Sequence, residues 1–201
     1  MKILIVPTVR EIYLNQFEYC VDSKLIYFFK QLFSNSKIDI YNNKINSHYN
    51  LIVLAGGNNS IIKKKSDLIR NKINKEVFNY AIKKKIKIIG ICHGAHFLAK
   101  KFKFKLENRK NHVGKHEVNF NINQKKFKLN VNSFHQETIK IKKDKKINMF
   151  GIAKDNTIEA YHIKDKKILG IMWHPERYRI VKRFDENLLK GFYATNSIVS
   201  R

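Results

Sequence analysis

Acidic residues, cysteine and proline are all scarce in this chain of 201 residues. Two cysteines, Cys20 and Cys92, stand in unrelated contexts, which excludes a disulfide framework and any cysteine-based metal spacing. With two prolines and eight glycines there is no Pro/Gly/Ser-rich linker, and neither a low-complexity block nor a repeat interrupts the pattern. Residues 1–201 therefore read as one domain, long enough for a sizeable core. No apolar run approaches the length of a bilayer-spanning helix. The segment Met1–Pro7 is too short for a secretory h-region and has no small-residue cleavage site. The expectation is a cytoplasmic protein with no membrane partner.

The shortage of acid is the most pronounced: 16 Asp and Glu oppose 41 Lys and Arg, a formal net charge of +25. Such a balance ordinarily points to nucleic acid or an anionic surface. Here the excess is mostly lysine in short runs, such as Lys63–Lys65, Lys83–Lys85 and Lys125–Lys126, without the interleaved aromatics of a stacking platform. Lysine also keeps company with abundant Asn, Ile, Phe and Tyr, all encoded by AT-rich codons. A solvated lysine surface is expected, with no nucleic-acid partner. Its field would still attract a polyanionic small molecule.

What is present is a nucleophile elbow. The apolar run Ile86-Lys87-Ile88-Ile89 leads into Gly90-Ile91-Cys92-His93-Gly94 and then into the helix-like Ala95 to Phe102. Gly-x-Cys-x-Gly between strand and helix lifts the thiol clear of its own backbone, and the glycines let strand and helix pack closely. The sulfur lies over a helix N-terminus, which favours a thiolate. Cys20, in Phe17-Glu18-Tyr19-Cys20-Val21, reads as an inert buried thiol in a helical segment.

Strands and helices alternate in the first half: strand Lys2–Val6, a helix across Tyr19–Phe33, strands Lys37–Tyr41 and Leu51–Leu54, a helix near Asn74–Lys85, and strand Ile86–Ile91. This order predicts an α/β fold of three α/β/α layers around a largely parallel sheet. Beyond Lys103 come strand-like runs at short spacing, read as antiparallel hairpins added to that sheet, then a last helix around Asp185–Ala194. Ligands of open α/β sheets gather at the carboxyl ends of the strands. Ala55-Gly56-Gly57-Asn58-Asn59, Cys92 and His174-Pro175-Glu176 all follow strands.

A cysteine nucleophile needs a base, and the base needs a partner that fixes its tautomer. His174 and Glu176, two residues apart on leaving a strand and stiffened by Pro175, fill these roles. The oxyanion formed on attack needs backbone donors. The N–H of His93 is one, and Gly57, whose neighbourhood lacks Cβ atoms, offers the other.

Ala55-Gly56-Gly57, Gly-Ile-Cys-His-Gly, Val131-Asn132-Ser133-Phe134-His135-Gln136, Ile158-Glu159-Ala160 and Gly170-Ile171-Met172-Trp173-His174-Pro175-Glu176 occur in this order. Together they resemble the class I glutamine amidotransferases and their γ-glutamyl hydrolase relatives over nearly the whole chain. The resemblance implies a Cys92–His174–Glu176 triad that cleaves a γ-glutamyl amide through a thioester, with no metal or organic cofactor. It also implies that Asn132, Ser133, Phe134 and His135 line the glutamate pocket, bordered by Asn58 and Asn59. Ammonia-delivering members usually carry Gln where this chain has His96. His96 is thus either a substitute substrate contact or an ordinary helix residue, and a glutaminase subunit serving a separate synthase is the alternative function. Within the hydrolase subgroup the sequence resembles enzymes of bacterial capsule assembly that free glutamate from a nucleotide-linked phosphoramidate. Arg10, Arg177 and Arg179 are candidates to pair with a diphosphate.

His112 and His116 have the i, i+4 spacing of a metal-binding helix face, but Gly114 and the strand-like sequel oppose a helix, and no third ligand lies nearby in sequence. A structural turn before a strand is the expectation.

Overall fold

After its first residue, strand β1 (Lys2–Val6) is apolar at every position and buried on both faces, as a central strand of a parallel sheet must be. The computed structural model describes residues 1–58, 60, 62–109, 112–141 and 144–198. β2 (Thr8–Tyr13) and β3 (Gln16–Cys20) form a separate hairpin, followed by α1 (Ser23–Leu32), β4 (Lys37–Ile40), β5 (Leu51–Leu54) and α2 (Lys65–Lys84). Next come β6 (Lys87–Ile91), α3 (His93–Lys101), β7 (Leu106–Asn108), β8 (Val113–Ile122), β9 (Lys125–Phe134) and β10 (Glu137–Lys140). β11 (Asn148–Ala153), β12 (Thr157–Ile163), β13 (Ile168–Ile171) and α4 (Arg183–Thr195) complete the order.

An 11-stranded sheet runs β4-β1-β5-β6-β13-β12-β11-β8-β9, with β10 and β7 attached beside β12. Pairings from β4 to β13 are parallel, and those beyond β13 are antiparallel. Alternation along each parallel strand divides the core. Ile3, Ile5, Leu51, Val53, Ile89 and Ile91 pack with Leu25, Phe28 and Phe29 of α1 and with Leu188, Leu189 and Phe192 of α4. Leu4, Val6, Ile52, Leu54 and Ile88 pack with Ile73 and Val77 of α2 and with Ala95 and Leu98 of α3. The three expected layers are therefore present.

Three local expectations fail. Residues 8–20 form a hairpin, and the first helix starts only at Ser23, where the Asp22 side chain accepts from the Lys24 N–H and caps it. The alternation of Phe17 and Tyr19 had blended into the apolar helix that follows. Helix α2 begins at Lys65, well before Asn74, because its polar first turns hide the apolar period. The Asp67 carboxylate marks that true start by accepting from the N–H groups of Lys63 and Lys64. Leu106–Asn108 adds a short strand that the sequence did not signal.

Helix α3 lies unusually close to the sheet. A Cβ on Gly94 would overlap the Leu54 carbonyl, and one on Gly90 would come 2.6 Å from the Gly94 carbonyl carbon. Gly94→Ala must therefore push α3 off β5. We predict a loss of about 2 kcal/mol or more from overpacking, against about 1 kcal/mol for removing the α1 cap in Asp22→Ala. Urea midpoints of the two variants check the order.

Candidate active site

The chain leaves β5, β6 and β13 at the same edge of the sheet, and these exits carry Gly56 and Gly57, Cys92, and His174 respectively. Cys92 sits between β6 and α3 with φ 49° and ψ −104°, a conformation that costs energy in a non-glycine residue and characterises a nucleophile elbow. Its N–H donates to the Ile171 carbonyl, 2.8 Å away, so the turn is tied to β13, the strand that delivers the histidine. Cys92 is buried, with 7% of its surface exposed.

His174 is buried, and its Nδ1 lies 2.6 Å from Glu176 Oε1. The sequence suggested that a strand would direct both side chains one way. Instead Pro175–Arg177 forms a 3-10 turn, and that turn folds Glu176 back onto the ring. With Nδ1 on the carboxylate, Nε2 is the nitrogen left for Cys92. Burial opposes a charge on His174, but Cys92 and Glu176 outweigh it and push its pKa up to about 9. Gly56 makes room for the ring, since a Cβ there would lie 2.5 Å from the imidazole Cε1. Gly57 has φ +84°, and His93 opens α3, so its N–H is among those without an intrahelical partner.

The Asn132–His135 segment serves several ends. Asn132 clamps the backbone of His174: Nδ2 donates to the His174 carbonyl at 2.8 Å, and Oδ1 accepts from the His174 N–H at 2.8 Å. Its own N–H donates to Tyr178 Oη. Phe134 is half exposed and meets the His174 ring edge-on at a centroid distance of 5.6 Å, with the Arg177 guanidinium 4.5 Å from its centre. Ser133 and His135 are buried on the far side of this wall. The Ser133 hydroxyl donates to the His112 carbonyl, and His135 Nδ1 to the Glu137 carbonyl.

Other expected contacts are already engaged elsewhere. Both ends of the Asn58 amide bond the Val9 backbone, tying β2 to the loop after β5. His96 is buried with Nδ1 on Ser60 Oγ at 2.8 Å and Nε2 on the Glu137 carbonyl at 2.9 Å. Burial and the neighbouring His135 push its pKa down to about 3. It ties α3 to β10. Asn59 lies outside the described residues. Arg10 and Arg177 line the cleft that opens on Gly56, Gly57 and His174, whereas Arg179 lines an adjoining groove that shares Glu176 and Arg177 with it.

Some neighbours were not anticipated. Cys20 is on β3, half buried, and lines the cleft, which follows from the hairpin replacing a helix. Arg70, fully buried on α2, donates to the Ala55 carbonyl at 3.1 Å and so steadies the loop before Gly56. Trp173 Nε1 donates to buried Asp185 at 2.8 Å and anchors the end of β13 to α4. A lone Arg or Asp in a helix gives no sequence signal of such a role. Nor did sequence place a third group beside His112 and His116, where the fold brings His135 and Glu159.

Residues 52–176 match the peptidase C26 family. The chain belongs to that class I glutamine amidotransferase-like family. A γ-glutamyl-CDP-amidate hydrolase of Campylobacter jejuni is 39% identical over 132 residues, which take in 63% of this chain and 62% of that protein. A glutamine-hydrolysing GMP synthase of Wigglesworthia glossinidia brevipalpis is 27% identical over 158 residues, or 68% of this chain and 28% of the synthase. The match thus spans less than two thirds of either relative's length. A solved glutamine amidotransferase of Thermotoga maritima aligns over 87% of this chain and 76% of its own with a TM-score of 0.65 at 18% identity, a likeness of fold.

The raised pKa gives a pH prediction. The folded value of about 9 exceeds the ordinary value of 6.5, so the charged ring's contribution to stability is complete below about pH 6.5 and fades as pH rises through 9. NMR titration should place the His174 midpoint near 9, and lower in both Cys92→Ala and Glu176→Gln. A midpoint unmoved by either change would show that these groups do not hold the proton.

Proposed function

We propose that this protein hydrolyses a γ-glutamyl amide by covalent catalysis on Cys92, with His174 as acid and base and Glu176 as the group that orients it. The observation that carries the reading is the 2.6 Å bond from Glu176 to His174 beside a cysteine held in an elbow conformation. The Cys92 sulfur attacks the γ-carbonyl, and the N–H groups of His93 and Gly57 receive the oxyanion. His174 passes its proton to the departing nitrogen as the C–N bond breaks, leaving a γ-glutamyl thioester. Water then enters, His174 takes its proton, and the C–S bond breaks to release glutamate and the thiol.

The substrate we favour is γ-glutamyl-CDP-amidate, which would give L-glutamate and cytidine diphosphoramidate in the cytoplasm. Support comes from the substrate that the Campylobacter relative's name states and from the arginines at the cleft, Arg10 and Arg177. Arg179 in the neighbouring groove extends that positive surface. A diphosphate would pair with guanidinium forks and gain from the net charge of +25. No organic cofactor enters the reaction.

Glutamate release from γ-glutamyl-CDP-amidate, γ-glutamyl dipeptides and glutamine tests the proposal. The nucleotide amidate should be turned over fastest, with KM rising as salt screens the arginines. Cys92→Ala should cost at least about a thousandfold in kcat. Rapid glutamine turnover, stimulated by a synthase partner, would replace this reading with the ammonia-delivering one.

A further inference from the structure

Behind the wall formed by Asn132 and Phe134, three imidazoles converge on one carboxylate. Glu159 on β12 is fully buried, and its Oε1 lies 3.1 Å from His112 Nδ1, 3.4 Å from His116 Nε2 and 3.7 Å from His135 Nε2. None of the proposed catalytic steps uses these groups.

Hydrogen-bond inventory shows what the cluster lacks. A neutral imidazole has one N–H and one lone pair. His135 Nδ1 lies 2.8 Å from the Glu137 carbonyl, which only accepts, so that nitrogen carries the proton and Nε2 turns a lone pair toward Glu159. His112 Nε2 lies 2.9 Å from Asp155 Oδ2, again an acceptor, so Nδ1 also turns a lone pair toward Glu159. Among the described residues, neither Glu159 oxygen has a hydrogen bond of regular geometry, nor do His112 Nδ1, His135 Nε2 or either nitrogen of His116. Lone pairs of His112 and His135 thus face those of Glu159 in a buried space, an arrangement that a proton or a cation among them would relieve. One extra proton on a ring is one source of positive charge, and a second is opposed by the first. The His112 ring is 5.1 Å from that of His135 and 4.8 Å from that of His116, so adjacent buried imidazolium ions would repel.

A metal ion meets the same need with neutral rings. The outward N–H of His112 on a carboxylate and that of His135 on a carbonyl reproduce the arrangement that orients metal-bound histidines. Ligand atoms of His112, His135 and Glu159 all lie within 4.8 Å of one another. Metal–ligand bonds of about 2.0–2.1 Å place tetrahedral neighbours roughly 3.3–3.4 Å apart, close to the 3.1, 3.4 and 3.7 Å that separate Glu159 from the three rings. Two nitrogens and a carboxylate suit zinc better than the oxygen-seeking calcium or magnesium.

We propose that His112, His135 and Glu159 bind one divalent ion of the zinc class, with His116 as the fourth ligand. Four protein ligands, three of them buried, make this a structural site. It would join the approach to β8, the end of β9 and the start of β12. The His135 N–H and the Ser133 hydroxyl both donate to the His112 carbonyl, so the ion would brace the strand end from which Asn132 clamps His174.

The test uses untagged full-length Cys92→Ala protein, so that the thiol does not itself recruit metal. It is stripped with chelator, loaded with Zn2+ or Co2+ and dialysed. One ion per chain should remain, Co2+ should give the visible absorption of a four-coordinate site, and zinc should raise the melting temperature of the stripped protein. His135→Ala and Glu159→Gln should each weaken retention by about tenfold or more. If a variant fails to fold, the zinc-dependent melting shift of the stripped parent decides alone. Retention well below one ion with no melting shift would overturn the proposal, as would undiminished retention in a folded His135→Ala protein.

Discussion

The approach of α3 to the sheet is the constraint on which the rest of this structure depends. Gly94 lies against the Leu54 carbonyl and Gly90 against the Gly94 backbone, contacts that no side chain at either position would allow. Because strand and helix come so close, the residue between them must turn sharply, and Cys92 takes the unfavourable φ of 49°. Strain held there is offset by the burial of Ala95 and Leu98 against β5 and β6. The same turn bonds the Ile171 carbonyl, so the position of Cys92 and the exit path of His174 are set by one piece of sheet.

Histidine placement rests on a further set of contacts. Asn132 grips the His174 backbone, Gly56 leaves space for its ring, Glu176 fixes Nδ1, and the Trp173–Asp185 bond holds the preceding residue. A positively charged ring in a buried site requires nearby negative charge, and Glu176 and Cys92 are placed to provide it. The antiparallel half of the sheet therefore buttresses a histidine that leaves the parallel half.

Much of this was legible in the sequence because the informative residues are local to the turns they make. Gly-x-Cys-x-Gly after an apolar strand encodes its own elbow, and the alternation of strand and helix encodes the three layers. Where the partner is distant the signal disappears. Asn58, Ser133 and His135 look like substrate contacts in sequence and His96 like either a contact or a helix residue, and in the fold Asn58 bonds Val9, His96 bonds Ser60 and Glu137, Ser133 bonds the His112 carbonyl and His135 the Glu137 carbonyl. Their residue types suit a pocket and a buried tie equally well, and only the fold tells them apart. Arg70 shows the converse, since a buried arginine on a polar helix looks like any surface arginine in sequence. The hairpin of residues 8–20 was masked by its short turn and by the apolar helix after it, and with it the place of Cys20 at the cleft.

The central claim is that carbon–nitrogen cleavage passes through an acyl group on Cys92, and peptide-level mass spectrometry of a rapidly acid-quenched and digested reaction tests it most directly. The account predicts a transient mass increase of one glutamyl group on the peptide containing Cys92, absent from Cys92→Ala protein and lost as substrate is exhausted. Full turnover by Cys92→Ala, or an adduct found on Cys20 in place of Cys92, would contradict it.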